Sequence, residues 1–272
     1  MKKFGLIGHP ISHSLSPALF KAGYDGKYPY DLIETPDFNE AYQRFLNGYD
    51  GINVTAPFKE LAFRKADILT KECTLIGATN LLVKTPEGVK AYNSDYLGIR
   101  LWLSEVAARM PEVPSVLVVG LGGAGKAVAA AAWAEKMNLT LMNRDISKAV
   151  DMSGRLGGKS GNSNINVRAL NEFCEAFLEA DIVIYNLPVQ IPELESLYMI
   201  HHDCATKANP KIILEANYKN PSFTETLLKK YKELGLDIEY HTGHTWLLLQ
   251  AVTGYEIFTG EKPDLSRMTE QI

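Results

Sequence analysis

Residues 115–137, Ser-Val-Leu-Val-Val-Gly-Leu-Gly-Gly-Ala-Gly-Lys-Ala-Val-Ala-Ala-Ala-Ala-Trp-Ala-Glu-Lys-Met, join an uninterrupted apolar run, a glycine cluster and an alanine-rich stretch. A run without polar alternation suits a strand covered on both faces, and alanine is the strongest helix former. The reading is therefore a strand over 115–119 and a helix over 122–137. Between them, Gly120, Gly122 and Gly125 have the G-x-G-x-x-G spacing. Such glycines permit a tight turn and close backbone approach, while the free amides of the helix's first turn sit at its positive dipole end, where a pyrophosphate binds. Gly120, Gly122, Gly123, Ala124 and Gly125 form the candidate loop of a Rossmann-type, doubly wound dinucleotide-binding domain.

Towards the C-terminus, a strand over 139–142 ends in Asn143-Arg144-Asp145, about 20 residues beyond the loop, where such folds meet the adenosine ribose. Arg144 can stack on adenine and pair with a 2′-phosphate, which favours NADP. Asp145 repels that phosphate or accepts from a free ribose hydroxyl, which favours NAD, and it is equally suited to capping the next helix. Residues 182–185 and 212–215 read as further strands, 154–166 as an exposed Gly/Ser/Asn-rich loop, and 245–258 as a last helix.

Towards the N-terminus, apolar runs at 4–7, 30–33 and 51–54 alternate with helical stretches at 17–22, 38–46 and after Pro57. Segments 80–83 and 89–92 flank a turn signal at 85–88 and read as a hairpin. A helix over 95–109 stops before Pro111 and Pro114, the clearest candidate junction. The expected fold is α/β, with an N-terminal αβα substrate domain (1–100 with 240–272) and a dinucleotide-binding domain (101–239).

The 272-residue chain is 46% hydrophobic and 22% charged, which excludes disordered and low-complexity classes. Its net charge of -4, without a basic block, argues against nucleic acid. Cys73, Cys174 and Cys204 are too dispersed for a zinc motif or a disulfide framework and read as buried free thiols. The N-terminal apolar stretch is too brief for a signal core or a membrane span, so the expectation is a cytoplasmic protein with no membrane partner. His241 and His244 in HTGH offer too few ligands for a metal site.

Two polar segments carry the chemistry, GINVTAPFKE at 51–60 and AYNSDYLG at 91–98. Asn53, Thr55 and Lys59 set an amide, a hydroxyl and an ammonium where a strand ends against Pro57, taken as a helix start. Asn80, Asn93 and Asp95 add polar groups at similar strand ends, a lining suited to a polyhydroxylated anion.

In order and spacing, GHPISHSLSP, GINVTAPFK, GATN, NSDYLG, GLGGAG, MNR and LLLQA resemble the shikimate dehydrogenase family across nearly the whole chain. The resemblance implies NADP-linked, reversible reduction of 3-dehydroshikimate to shikimate. It implies that Ser14 and Ser16 bond the substrate carboxylate, that Asn53, Thr55, Asn80, Asp95 and Gln250 read ring hydroxyls, and that Lys59 and Asp95 form the catalytic pair. Tyr218 would border the substrate, Gly243 would let the backbone approach the nicotinamide, and Asn186 would stand in a cofactor-facing loop. The protein would act as a monomer or homodimer.

Three segments depart from the family pattern: Asp145 replaces a usual Thr or Ser, Asn186-Leu187-Pro188 a usual Asn-Ala-Thr, and Thr245-Trp246 a usual Gly-Met. Two alternatives follow, a quinate/shikimate dehydrogenase using NAD or both cofactors, and a non-catalytic shikimate-binding protein.

Overall fold

A computed structural model describes residues 1–157, 164–197 and 210–272. The chain divides into two compact units, Met1–Gly98 with Leu247–Ile272, and Ile99–Trp246.

The first unit opens with β1 (Phe4–Gly8), α1 (Ser16–Gly23), β2 (Tyr30–Glu34), α2 (Phe38–Gly48) and β3 (Gly51–Val54). It continues through α3 (Lys59–Lys65), β4 (Ile68–Leu69), α4 (Lys71–Ile76), β5 (Leu81–Thr85) and β6 (Gly88–Tyr92). Its six-stranded sheet has the order β2-β1-β3-β5-β6-β4. β1 runs parallel to β2 and β3, whereas β5 is antiparallel to both β3 and β6. The predicted hairpin forms with Thr85 opposite Gly88, and the Thr85 hydroxyl donates to the Gly88 carbonyl at 2.9 Å. α3 begins at Lys59 rather than at Pro57, which lies in the turn before it.

Helix α5 (Ser94–Ala107) leads to the second unit: β7 (Ser115–Val119), α6 (Gly123–Ala134), β8 (Asn138–Met142), α7 (Ile146–Gly157), β9 (Ile165–Arg168), α8 (Phe173–Glu179), β10 (Ile182–Tyr185), α9 (Pro192–Ser196), β11 (Lys211–Glu215), α10 (Glu225–Glu233) and β12 (Ile238–His241). These strands form a six-stranded sheet of order β12-β11-β10-β7-β8-β9, parallel throughout. The order reverses beside β7, the doubly wound switch at which such sheets place ligands. Helices α11 (Gly243–Thr259) and α12 (Leu265–Thr269) end the chain.

One expectation is corrected, that of the loop at 154–166. The compact units divide inside α5, after Gly98, and inside α11, after Trp246, where the expected bounds were 100 and 239. The first turn of α5 is tied to the first unit through Asn93 and Ser94, while Arg109, two residues beyond the helix, forms an ion pair with Glu239 of β12. β12 pairs with β11, so residues 240–246 fall with the second unit. The stretch 154–166 is not wholly loop: α7 runs to Gly157 and β9 starts at Ile165, with 158–163 outside the described residues.

The first unit buries Phe4, Phe20, Tyr255 and Phe258, with Phe4 and Phe258 stacked at 4.8 Å. The second buries Leu117, Val119, Phe177, Val183 and Tyr231. Each such apolar side chain contributes about 1.5–3 kcal/mol when fully buried. Cys73 and Cys174 are buried free thiols, and burial pushes Cys73 up to about 12; Cys204 lies outside the described residues. Among the described residues no helix is long and apolar enough to cross a membrane.

Candidate active site

Lys59 is the first residue of α3, where the helix dipole disfavours a cation, and Asp95 lies in the first turn of α5, where the dipole favours a carboxylate. The two meet: Lys59 Nζ donates to Asp95 Oδ2 at 2.5 Å, with the side chains 20% and 13% exposed. Reduced exposure strengthens this pairing relative to one in open water. The predicted pair is thus assembled inside the first unit.

The neighbouring polar side chains hold one another. Asn93 accepts from Tyr96 N at 3.0 Å and donates to the Ala78 carbonyl, capping α5 and fixing the turn that carries Asp95. Asn80 accepts from Ser94 N at 2.7 Å and donates to its hydroxyl at 3.0 Å. The Ser94 hydroxyl donates to Gln250 Oε1 at 3.2 Å, and Gln250 Nε2 donates to the Leu247 carbonyl at 3.0 Å. The one sequence signal for Ser94 is its place inside Asn93-Ser94-Asp95. Asn53 donates to the Asn80 carbonyl at 3.4 Å, and half-buried Thr55 donates its N–H to Ile7. The Ser14 and Ser16 hydroxyls lie 3.1 Å apart at the start of α1.

In the second unit, the glycine loop occupies the end of β7. Gly120 has φ +90°, a conformation that favours glycine, and a Cβ on Gly125 would stand 1.8 Å from the Gly120 carbonyl oxygen. Gly122 is exposed, with open space around its Cβ direction, while Gly123 and Ala124 start α6. Beside this loop, the buried Oδ1 of Asn186 has no hydrogen-bond partner among the described residues. Open space, free helix-start amides and an orphaned polar atom fit a dinucleotide.

Asn143 joins the loop to the next strand end: Oδ1 accepts from Leu121 N at 2.9 Å and Nδ2 donates to the Asp145 carbonyl at 2.9 Å. Arg144 is exposed. Asp145 Oδ1 accepts from the Ser147 hydroxyl at 2.6 Å and its N–H at 3.1 Å, so the helix-cap role is the one it performs here. Those two bonds, helped by the charge of Lys148, hold its carboxyl below the ordinary value.

Tyr218 belongs to the second unit; its ring lies 4.6 Å from that of His244, and burial raises its phenol pKa. Gly243 starts α11 with a Cβ position 2.3 Å from the Ala216 carbonyl oxygen, a close approach that excludes any larger residue. Glu215, fully buried at the end of β11, carries in the sequence only the signal of a strand residue. It accepts from Ser222 N at 2.5 Å, Phe223 N at 3.1 Å and the Tyr240 hydroxyl at 3.0 Å, closing the loop that carries Tyr218. His241 bonds Glu239 at 2.7 Å and packs edge-on against Trp102.

A parallel sheet with a glycine loop at its switch point, in a chain that also holds a lysine–carboxylate pair, defines a nucleotide-linked oxidoreductase class. Residues 6–82 match the shikimate dehydrogenase substrate binding domain, and residues 105–210 match the shikimate / quinate 5-dehydrogenase family. The chain is 30% identical over 288 aligned positions to a shikimate dehydrogenase (NADP(+)) of Methanococcus aeolicus, covering 100% of this chain and 96% of that one. The chain belongs to the shikimate dehydrogenase family. Among solved structures, a quinate dehydrogenase from Corynebacterium glutamicum in complex with NAD is similar with a TM-score of 0.81 at 26% identity, covering 99% of this chain and 98% of that one. A shikimate dehydrogenase in complex with NADP+ also gives 0.81 at 26% identity, covering 100% and 94%.

Proposed function

We propose that this protein catalyses the reversible NADP-dependent reduction of 3-dehydroshikimate to shikimate, a step of aromatic (chorismate) biosynthesis, in the cytoplasm and as a monomer or homodimer. The observation that carries the reading is the assembled Lys59–Asp95 pair in a chain with an intact glycine loop.

The first unit binds the substrate through Ser14 and Ser16 at its carboxylate and through Asn53, Thr55, Asn80 and Gln250 at its ring oxygens; Tyr218 is a further substrate contact by family resemblance. Gly120, Gly122, Gly123, Ala124 and Gly125 hold the cofactor pyrophosphate, Asn143, Arg144 and Asp145 border the adenosine ribose, and Asn186 and Gly243 flank the nicotinamide. NADPH, when bound, supplies the hydride. As the ketone carbon is reduced, its oxygen gains negative charge. The Lys59 ammonium stabilises that charge and gives the oxygen a proton, and Asp95 holds the ammonium in line. In the reverse direction the neutral Lys59 amine takes the proton back.

Asp145 favours a second reading, a quinate/shikimate dehydrogenase using NAD. A carboxylate beside the ribose repels a 2′-phosphate even while it caps α7. The deciding experiment is the initial rate of shikimate oxidation with NADP and NAD in parallel, with quinate as the comparison substrate. Turnover of shikimate with NADP is expected. Preference for quinate with NAD would replace the first reading with the second, and tight shikimate binding without turnover would leave a binding protein.

A further inference from the structure

Beneath the substrate-side candidates lies a pair of tyrosines that the reading above does not use. Tyr30, the first residue of β2, donates its hydroxyl to Asn53 Oδ1 at 2.8 Å. Tyr255 of α11, fully buried, donates to the Ser16 carbonyl at 3.1 Å, and the two rings meet edge to face at 6.0 Å. Phe20 closes on both, 4.7 Å from Tyr30 and 4.8 Å from Tyr255. Tyr30 is half-buried, yet packing around its hydroxyl pushes the phenol pKa well above its ordinary value, so it remains a protonated donor.

An asparagine amide has an accepting end and a donating end, and its neighbours decide which end faces where. Asn53 is buried between two groups of opposite character. The Asn80 carbonyl can only accept, and it takes one N–H of Asn53 at 3.4 Å, a long bond that fixes the amide weakly by itself. The Tyr30 hydroxyl supplies the short, opposing bond to Oδ1. With both in place, the second N–H of Asn53 Nδ2 has no partner among the described residues.

We infer that Tyr30 is a positioning residue that locks the Asn53 amide with its Nδ2 donor facing the substrate, so that Asn53 recognises an acceptor oxygen of the ligand. The inference rests on Asn53 being a substrate contact. It assigns Tyr30 an effect on substrate affinity that passes entirely through Asn53.

The test is a double-mutant cycle read by calorimetric titration of the full-length protein with shikimate, which reports affinity whether or not the protein turns over. Tyr30→Phe, which keeps the ring packing, is expected to weaken shikimate binding about tenfold, equivalent to about 1.4 kcal/mol, with the Kd for NADP and the melting temperature nearly unchanged. In an Asn53→Ala background, Tyr30→Phe should add nothing. Weakening by the same factor in both backgrounds, or no weakening by Tyr30→Phe where Asn53→Ala does weaken binding, overturns the inference. If Asn53→Ala leaves shikimate affinity intact, Asn53 is not a substrate contact and the inference falls with that assignment. Asn53→Asp gives an independent reading: it keeps the acceptor for Tyr30 but removes the outward donor, and should weaken binding as much as Asn53→Ala. Retained affinity in Asn53→Asp overturns the donor orientation even if the Tyr30 variant does not fold.

Discussion

At the ends of β3 and β5 in the first unit, the proposed substrate contacts are side chains that already hold one another: Asn53 bonds Asn80, Asn80 bonds Ser94, and Ser94 bonds Gln250. At the end of β7 in the second unit the proposed cofactor site is main chain, around Gly122, with nothing among the described residues within 4 Å of its Cβ position. The contrast separates two ways of specifying a site. A side-chain site depends on which residue stands at each position, and its members satisfy one another before a ligand arrives. A backbone site depends on a side chain being absent, and a single added methyl closes it.

Removing the proposed proton donor gives the largest expected effect. Lys59→Ala is expected to lower kcat by about 10²–10⁴, the range for a positioned acid or base, while shikimate still binds. Steady-state rates and calorimetry read the two quantities separately, and near-normal kcat would remove Lys59 from catalysis.

Next is the backbone site. Gly125→Ala sets a methyl 1.8 Å from the Gly120 oxygen, so the loop must shift. The expected costs are about 1–3 kcal/mol of stability, the scale of local backbone strain, and a weaker Kd for NADP at unchanged shikimate affinity. Thermal unfolding and paired titrations check this, and equal loss of both ligands would blur the division between the two regions.

Asp145→Thr retains a capping oxygen but removes the charge. The ratio of NADP to NAD efficiency should rise about tenfold, which corresponds to about 1.4 kcal/mol. An unchanged ratio in parallel kcat/KM measurements would leave Asp145 as a cap and nothing more.

The smallest effect is electrostatic. Arg109 holds the Glu239 carboxyl below its ordinary value of 4.5, with His241 helping. A depressed carboxyl pKa contributes stability above the unfolded pKa, and that stability is lost as pH falls through the folded pKa. Arg109→Gln should therefore cost less than about 1 kcal/mol at pH 7, because the pair is partly exposed, and nothing once Glu239 is protonated. Urea unfolding at neutral and acid pH compares the two, and an equal cost at both would show that Arg109 acts by packing.

The same contrast governs what the sequence made legible. The glycine spacing announced the backbone site because only strand, turn and helix in that order make sense of it. Apolar periodicity likewise gave β7, β8, β10 and most of β11, along with the hairpin. Lys59 and Asp95 become a pair through family order, since nothing in the sequence between two positions 36 apart says that two helix starts converge. Tyr30 and Glu215 stayed hidden for a related reason. Each sits in a strand-like run, and its partners are Asn53 for one and the N–H groups of Ser222 and Phe223 for the other, contacts that no local period encodes. Pro57 signals a helix start in the sequence, but the chain completes a turn there before α3 begins at Lys59.

The amide of Asn143 grips Leu121 with one end and Asp145 with the other. The loop that would cradle phosphate and the corner that would discriminate between two cofactors are therefore mechanically one piece. Anyone retuning this protein from one coenzyme to the other by rewriting positions 144 and 145 is also adjusting the grip on the part both coenzymes share. Exchanges that respect the Asn143 clamp should change preference, and those that disturb it should degrade the binding of either coenzyme alike.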